Sequence, residues 1–291
     1  MELLYLGTAA AEGTPALFCD CEFCRYARKV GGREIRGRSG ALLDGKLKLD
    51  FGPDSFKQML DNGIDYTHIH SLLITHTHED HLALGDISCR RRGFGQLPEG
   101  EAPLTLYGNE KLGEMLKPIL CDRIAYQRVR PFETYEIEGY SVTPLEAVHC
   151  VSNLPGSGYP VVFENRAYCR GEEAMFYLIE KDGASVLYAH DTDEFTPADM
   201  EFLAGKKIGL ISLDCTNGSL NADYVGHMGA RDNLCLRDRL LANGAADSRT
   251  VFVANHFSHN GLVPFEELEA LLPGFVVAYD GMKIAVPEAK A

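Results

Sequence analysis

The sequence predicts an α+β fold in which two mixed β-sheets pack face to face with helices on their outer faces. Three observations lead there. Strand-like and helix-like segments follow one another in mixed order, neither strictly alternating nor sorted into blocks. Hairpin turns occur in both halves, at Asp44-Gly45 and at Lys181-Asp182-Gly183. The chain of 291 residues shows no repeat of solenoid period and no linker-like stretch, so it reads as one domain spanning 1–291.

The elements follow from local pattern. Short strands are expected over 2–6, 40–43 and 46–50, the last two joined by the Asp44-Gly45 turn. A helix over 54–62 spaces Phe56, Met59 and Leu60 at helical intervals and stops at Gly63. A buried strand over 71–75 comes next. Further along are a strand over 104–107, a helix over 110–119, and strands over 133–137, 140–148, 174–180 and 184–189. The stretch 151–171, rich in Gly, Pro and Asn, reads as a long loop. Loops of that length inside a domain are usually functional or disordered, and with Tyr159 and Arg170 this one is the natural place for substrate selectivity. Helices over 197–203, 230–243 and 265–271, strands over 208–213 and 250–254, and a closing strand pair complete the chain.

Composition narrows the function classes. The 28 basic residues face 42 acidic ones, a formal net charge of -14, which argues against affinity gained by wrapping a long nucleic acid and favours a small substrate. No apolar run approaches the ~18 residues of a membrane span, and the first residues lack a signal-peptide pattern, so a cytoplasmic location without membrane partners is expected. Nine cysteines cannot all pair, so metal binding is the first reading to test. Oligomeric state stays open, with a homodimer among the alternatives.

The strongest chemical signal is His76-Thr77-His78-Glu79-Asp80-His81, placed directly after the apolar run Leu72-Leu73-Ile74. In extended chain, His76 and His78 point the same way and can reach one cation. Asp80 and His81 follow a turn and can face a second. Imidazole and carboxylate suit Zn²⁺, Mn²⁺ or Fe²⁺ at a hydrolytic centre.

A second signal is Cys19-Asp20-Cys21-Glu22-Phe23-Cys24, a C-x-C-x-x-C that a tight loop can turn onto one cation. Thiolates at this spacing favour a closed structural Zn²⁺ site, which needs a fourth ligand from elsewhere. His259 is the candidate.

The His-x-His-x-Asp-His run resembles the signature of the metallo-β-lactamase superfamily, and the likeness extends along nearly the whole chain. It implies an αββα sandwich with a dinuclear site at one edge of the sheets. It further implies that His76, His78 and His149 hold one metal, that Asp80, His81 and His256 hold the other, and that Asp191 is shared. His190, beside Asp191, stands where the family usually carries a small or hydroxyl residue and reads as supporting structure rather than as a ligand. His68 and His70 lie outside the motif.

The cysteine cluster together with His256-Phe257-Ser258-His259 resembles the PhnP-type branch, phosphodiesterases that open ribose cyclic phosphates. There the first histidine of the pair serves the catalytic metals and the second the structural zinc. PqqB-like proteins, associated with pyrroloquinoline quinone, share the cysteine cluster.

The implied reaction is hydrolysis of a small cyclic or nucleotide-like phosphodiester by a metal-bridging hydroxide. Asp80 and His227 are the residues expected to act in the chemistry, Asp80 as a ligand of the second cation and His227 as general acid. Gly226-His227-Met228-Gly229 resembles the element that supplies a proton-donating histidine in phosphodiesterase branches, RNase Z included; a helix-capping role is its plainer alternative. Asp214, at a strand end, could orient a ligand, and Arg90-Arg91-Arg92 could help to hold a phosphate. Three other classes remain: an RNase Z-like ribonuclease, a thioester or lactone hydrolase, and a PqqB-like metal-binding protein without ordinary hydrolytic turnover.

Overall fold

Alternation along the first strand already sets the layering. Leu3 and Tyr5 face one side and Leu4 and Leu6 the other, and all four are buried. Side chains alternate across a strand, so this strand must be covered on both faces.

The computed structural model describes residues 1–149, 161–163, 166–168, 173–220 and 226–288. In chain order the elements are β1 (Glu2–Gly7), α1 (Glu22–Val30), β2 (Gly40–Leu43), β3 (Leu47–Leu49), α2 (Ser55–Asn62), β4 (Ser71–Leu73), α3 (Leu84–Ser88), β5 (Leu104–Gly108) and α4 (Glu110–Leu116). After these come β6 (Ile124–Arg128), β7 (Tyr135–Ile137), β8 (Tyr140–Glu146), β9 (Val161–Phe163), β10 (Arg166–Tyr168), β11 (Met175–Lys181) and β12 (Ala184–Ala189). The chain continues with α5 (Pro197–Leu203), β13 (Leu210–Asp214), α6 (Ala230–Ala242), β14 (Val251–Asn255), α7 (Phe265–Leu271), β15 (Phe275–Val277) and β16 (Lys283–Ala285).

Two seven-stranded sheets result, ordered β16-β1-β2-β3-β4-β5-β6 and β15-β14-β13-β12-β11-β8-β7. Each is antiparallel at one end and parallel at the other: β3 to β6 run parallel in the first, β12 to β15 in the second. Leu3, Tyr5, Leu43 and Leu49 of the first sheet meet Val142, Tyr177, Val186 and Val253 of the second in the central core. Leu4, Leu42, Leu72 and Leu106 pack outward with Leu112 and Leu116 of α4. Phe176, Leu187, Ile211 and Phe252 pack outward with Leu203 of α5 and Leu236 and Leu240 of α6. The four layers are the αββα sandwich that the sequence predicts.

The structure departs from expectation in three respects. The stretch 151–171 is not all loop: β9 and β10 pair antiparallel inside it, built from the β-favouring runs Val161-Val162-Phe163 and Arg166-Ala167-Tyr168. Tyr159 and Arg170 lie outside the described residues. The last two strands do not pair with each other. β15 extends the second sheet parallel to β14, and β16 returns to the first sheet antiparallel to β1. Finally, β6, α1 and α3 were not foreseen. The α1 helix begins where the Cys21 side chain accepts a hydrogen bond from the Cys24 N–H, so the thiol motif caps it.

Candidate metal centre

The candidate side chains converge because the strands that carry them end together. Ala189, Leu213 and Ala254 share one level across the parallel strands β12, β13 and β14. Two residues beyond Ala189 and Ala254 come Asp191 and His256. On the facing sheet, β3 and β4 end beside each other, delivering Asp50 and the segment that carries His76. The carboxyl edge of parallel strands is where ligands bind in such sheets. Asp50, Asp191 and His256 have φ of 55°, 57° and 61°, a left-handed conformation that costs non-glycine residues roughly 1–3 kcal/mol. At three site positions the chain accepts that cost to turn sharply off a strand.

Two groups of donors share Asp191. The first is His76, His78, His149 and Asp191, and the second is Asp80, His81, Asp191 and His256, the donor atoms of each lying within 4.8 Å of one another. His76 Nε2 lies 2.9 Å from His78 Nδ1, and His149 Nε2 lies 3.2 Å from the same atom. His76 and His78 converge beyond the last ladder residue of β4, Leu73, so the loop and not strand pleat brings them together. Asp191 reaches both groups, with Oδ1 3.1 Å from His149 Nδ1 and Oδ2 3.2 Å from His76 Nε2 and 3.1 Å from His81 Nε2.

The residues fit divalent cations. Nε2 of His81, Nε2 of His256 and Oδ1 of Asp191 are buried among these donors, close to other donor atoms, yet make no well-aligned hydrogen bond among the described residues. A buried polar atom without a partner is costly, and imidazole nitrogens with carboxylate oxygens are the donor set such cations take. The outer nitrogens are held: His81 Nδ1 lies 2.7 Å from Asp50 Oδ2, and His256 Nδ1 lies 2.8 Å from Thr216 Oγ1. Fixing one ring nitrogen decides which tautomer the other presents. The backbone closes tightly behind the loop, since a Cβ on Gly52 would stand 1.9 Å from the Asp80 carbonyl oxygen.

A further grouping of Asp191, Asp214, His227 and His256 is also close enough to ligate. Asp214, however, already accepts four hydrogen bonds, from the N–H groups of Asp191, Thr216 and Met228 and from the Thr216 hydroxyl. A carboxylate so heavily engaged by protein donors suits orienting its neighbours better than ligating, as its place at a strand end suggests. His227 Nδ1 lies 3.2 Å from Asp214 Oδ2 and 3.3 Å from Asp191 Oδ1.

Burial and neighbouring charges shift the histidines in opposite directions that do not follow ligand role. Burial opposes the charged form of His81, but Asp80 and Asp50 raise it well above the usual range, whereas burial takes His190, outside every donor group, well below it. Burial pushes His78 down to about 4, with His76 adding to the effect, and pushes His149 well below the usual range. Neutral imidazole is the form that binds cations. Burial acts the same way on His227 but is outweighed by Asp214 and Asp191, which hold it at about 9. Burial opposes ionisation of Asp191 too, yet His149, His256 and His76 keep its carboxyl well below the ordinary value.

The remaining sequence candidates are placed as follows. Cys19, Cys21, Cys24 and His259 form a separate group with donor atoms within 4.8 Å. His259 Nδ1 lies 3.6 Å from Sγ of both Cys19 and Cys21. Burial opposes the Cys21 thiolate, but the Cys24 N–H and His259 bring it down to about 6. His190 stays out of every donor group, its Nε2 2.7 Å from Ser212 Oγ, in keeping with a supporting role. His70 pairs with Glu101 at 2.9 Å. The arginine run is engaged elsewhere, Arg90 with the carbonyls of Tyr66 and Ala102 and Arg92 with Asp122. Sequence reasoning missed Asp50; its signal was an acidic residue ending a strand just ahead of Gly52-Pro53.

Comparison with known proteins agrees with this architecture. Residues 49–244 match the model of the beta-lactamase superfamily domain. Coenzyme PQQ synthesis protein B of Methylobacterium radiotolerans is 32% identical, the alignment covering 98% of this chain and 100% of that protein. An octanoyltransferase of Porphyromonas gingivalis is 23% identical over 99% of this chain, which spans only 52% of that protein. A crystal structure of a diphosphatase from the PhnP family superposes with a TM-score of 0.73 at 25% identity, covering 99% of this chain and 98% of the other. A fold of two packed sheets, donors gathered at their shared edge and a matching family model over two thirds of the sequence have one common account: this chain belongs to the metallo-β-lactamase superfamily and is PhnP-like.

Proposed function

We propose that the protein is a metal-dependent phosphodiesterase acting on a small cyclic or nucleotide-like phosphodiester. The observation that carries this reading is His227, set 3.3 Å from the shared Asp191 and held cationic between two buried carboxylates. A charged imidazole beside the cation pair can bind a phosphate oxygen and donate a proton to a leaving alkoxide. Similarity to a PhnP-family diphosphatase supports phosphorus chemistry.

His76, His78 and His149 would hold one cation, Asp80, His81 and His256 the other, with Asp191 shared between them. Zn²⁺, Mn²⁺ and Fe²⁺ all suit these donors. When bound, such a pair supplies Lewis acidity toward phosphate oxygens and a hydroxide nucleophile at neutral pH. Asp50, Thr216 and Asp214 keep the ligand rings oriented, and Asp214 together with Asp191 keeps a proton on His227. Cys19, Cys21, Cys24 and His259 would hold a structural Zn²⁺ that fixes the loop leading into α1.

The test is turnover by metal-loaded protein on bis(p-nitrophenyl) phosphate, a 2′,3′-cyclic nucleotide, a thioester and a lactone. Diester hydrolysis that falls by about 10²–10⁴-fold in His227→Ala with metal content unchanged supports the reading. Turnover of the thioester or lactone alone, or an indifferent His227→Ala, sinks it. A second reading, a part in synthesis of the coenzyme PQQ without ordinary ester hydrolysis, is favoured by the full-length 32% identity to PQQ synthesis protein B; no turnover of any ester with all donors occupied would point there.

A further inference from the structure

Lys48 has no solvent exposure although it lies mid-strand in β3. Its neighbours Leu47 and Leu49 face the central core, so the lysine points to the opposite face, level with Leu42 of β2 and Leu72 of β4. Both of those leucines belong to the outer apolar layer, and a leucine or methionine would suit position 48 on packing grounds alone. Burying an ammonium costs several kcal/mol, so the position calls for a reason.

The side-chain amine donates to the carbonyl oxygens of Asp50, at 2.5 Å, and Leu49, at 3.2 Å. Asp50 is the residue whose backbone is left-handed and whose carboxylate grips His81 Nδ1 and the Thr75 N–H, the latter at 2.8 Å. Room for the amine is made by Gly40, where a Cβ would stand 3.0 Å from Lys48 Nζ and 3.4 Å from Gln58 Oε1. Burial pushes the ammonium down to about 7, with Asp50 opposing. The neutral amine still carries two N–H donors, enough for both carbonyls.

We propose that Lys48 is a positioning residue for the metal centre: by holding the Asp50 carbonyl it fixes the turn that aims the Asp50 carboxylate at His81, and so sets the cation affinity of the Asp80, His81, Asp191 and His256 group. The effect falls first on that group, because Asp50 touches His81 directly and reaches His76 only at one remove, through the Thr75 hydroxyl that it holds and that lies 3.0 Å from His76 Nδ1. The inference rests on the reading of two cation seats given above.

Lys48→Met keeps the stem and removes the donors. Competition with a chromophoric chelator should show one of the two Zn²⁺ ions of the paired site bound about tenfold or more weakly and the other weakened distinctly less. The Co²⁺-substituted protein should lose the absorption of one site first. Asp50→Asn should give the same signature, and the double variant should be no weaker than Asp50→Asn alone, since Lys48 acts through Asp50. Should Lys48→Met fail to fold, Gly40→Ala displaces the amine without deleting it and should weaken the same ion selectively. Equal weakening of both ions, unchanged affinities, or additive effects in the double variant would overturn the proposal. A wild-type chain that binds no pair of cations would instead refute the two-seat reading, and this inference with it.

Discussion

Asp214 Oδ2 and His227 Nδ1 stand 3.2 Å apart, and the same carboxylate oxygen is 3.2 Å from His256 Nδ1. One buried acid therefore lies against two rings, one facing the shared Asp191 and one whose far nitrogen belongs to the second donor group. Asp214→Asn keeps the shape and removes the charge. We expect diester turnover to fall by about 10–100-fold, with the pH above which activity declines moving downward, because His227 loses the largest influence that holds it at about 9. A pH–rate profile of the variant against wild type checks both.

Metal content should be three ions per chain. Cys21→Ser should remove one of them, leave the paired site loaded, and lower the stability of the region where Cys21 caps α1. Elemental analysis of the two proteins, with thiol titration, decides this; two ions in the wild type with all three thiols titratable would contradict it.

Gly52 should tolerate no side chain. Because its Cβ would lie 1.9 Å from the Asp80 carbonyl, Gly52→Ala must displace the peptide that leads into His81. We expect roughly 2–4 kcal/mol of lost stability in urea unfolding and reduced metal retention. A neutral outcome would mean that this loop yields readily.

The pH dependence of stability should carry the mark of Lys48. Its folded-state value, about 7, lies below the 10.5 of an exposed lysine. Between those values the unfolded chain binds more protons than the folded one, so this group adds stability as pH rises through the window, at up to about 1.4 kcal/mol per pH unit. Urea unfolding at pH 7 and pH 9 in chelator should show wild type gaining on Lys48→Met. An equal difference at both pH values would mean that the amine is charged and paired in the fold.

The layers and the donors were legible for different reasons. Binary pattern and turn chemistry suffice for β1 to β3, where Leu3, Tyr5, Leu4 and Leu6 alternate and Asp44-Gly45 closes a hairpin. The dense His76 to His81 run betrays itself because so many donors in six residues have no packing use. Asp50 and Lys48 stayed hidden because their meaning lies in the pairing of β3 with β4, which no local window contains. The partners of β15 and β16 stay hidden for the same reason: the sequence shows two closing strands, but not that one joins β14 of the second sheet and the other β1 of the first. His149, Asp191 and His256 became readable only through likeness to a family, since a single polar residue at a strand end is ordinarily a turn residue.

The small β9–β10 ribbon belongs to neither large sheet. Register of the parallel strands sets where the chain leaves the sheets toward Asp50, Asp191 and His256, and a slip of one residue would turn such a residue away from its partners. An insert that shares no ladder with those strands can be lengthened, shortened or replaced without such a slip. Between β8 and β11 the protein thus carries a ribbon whose pairing is independent of the strands that lead to the donors.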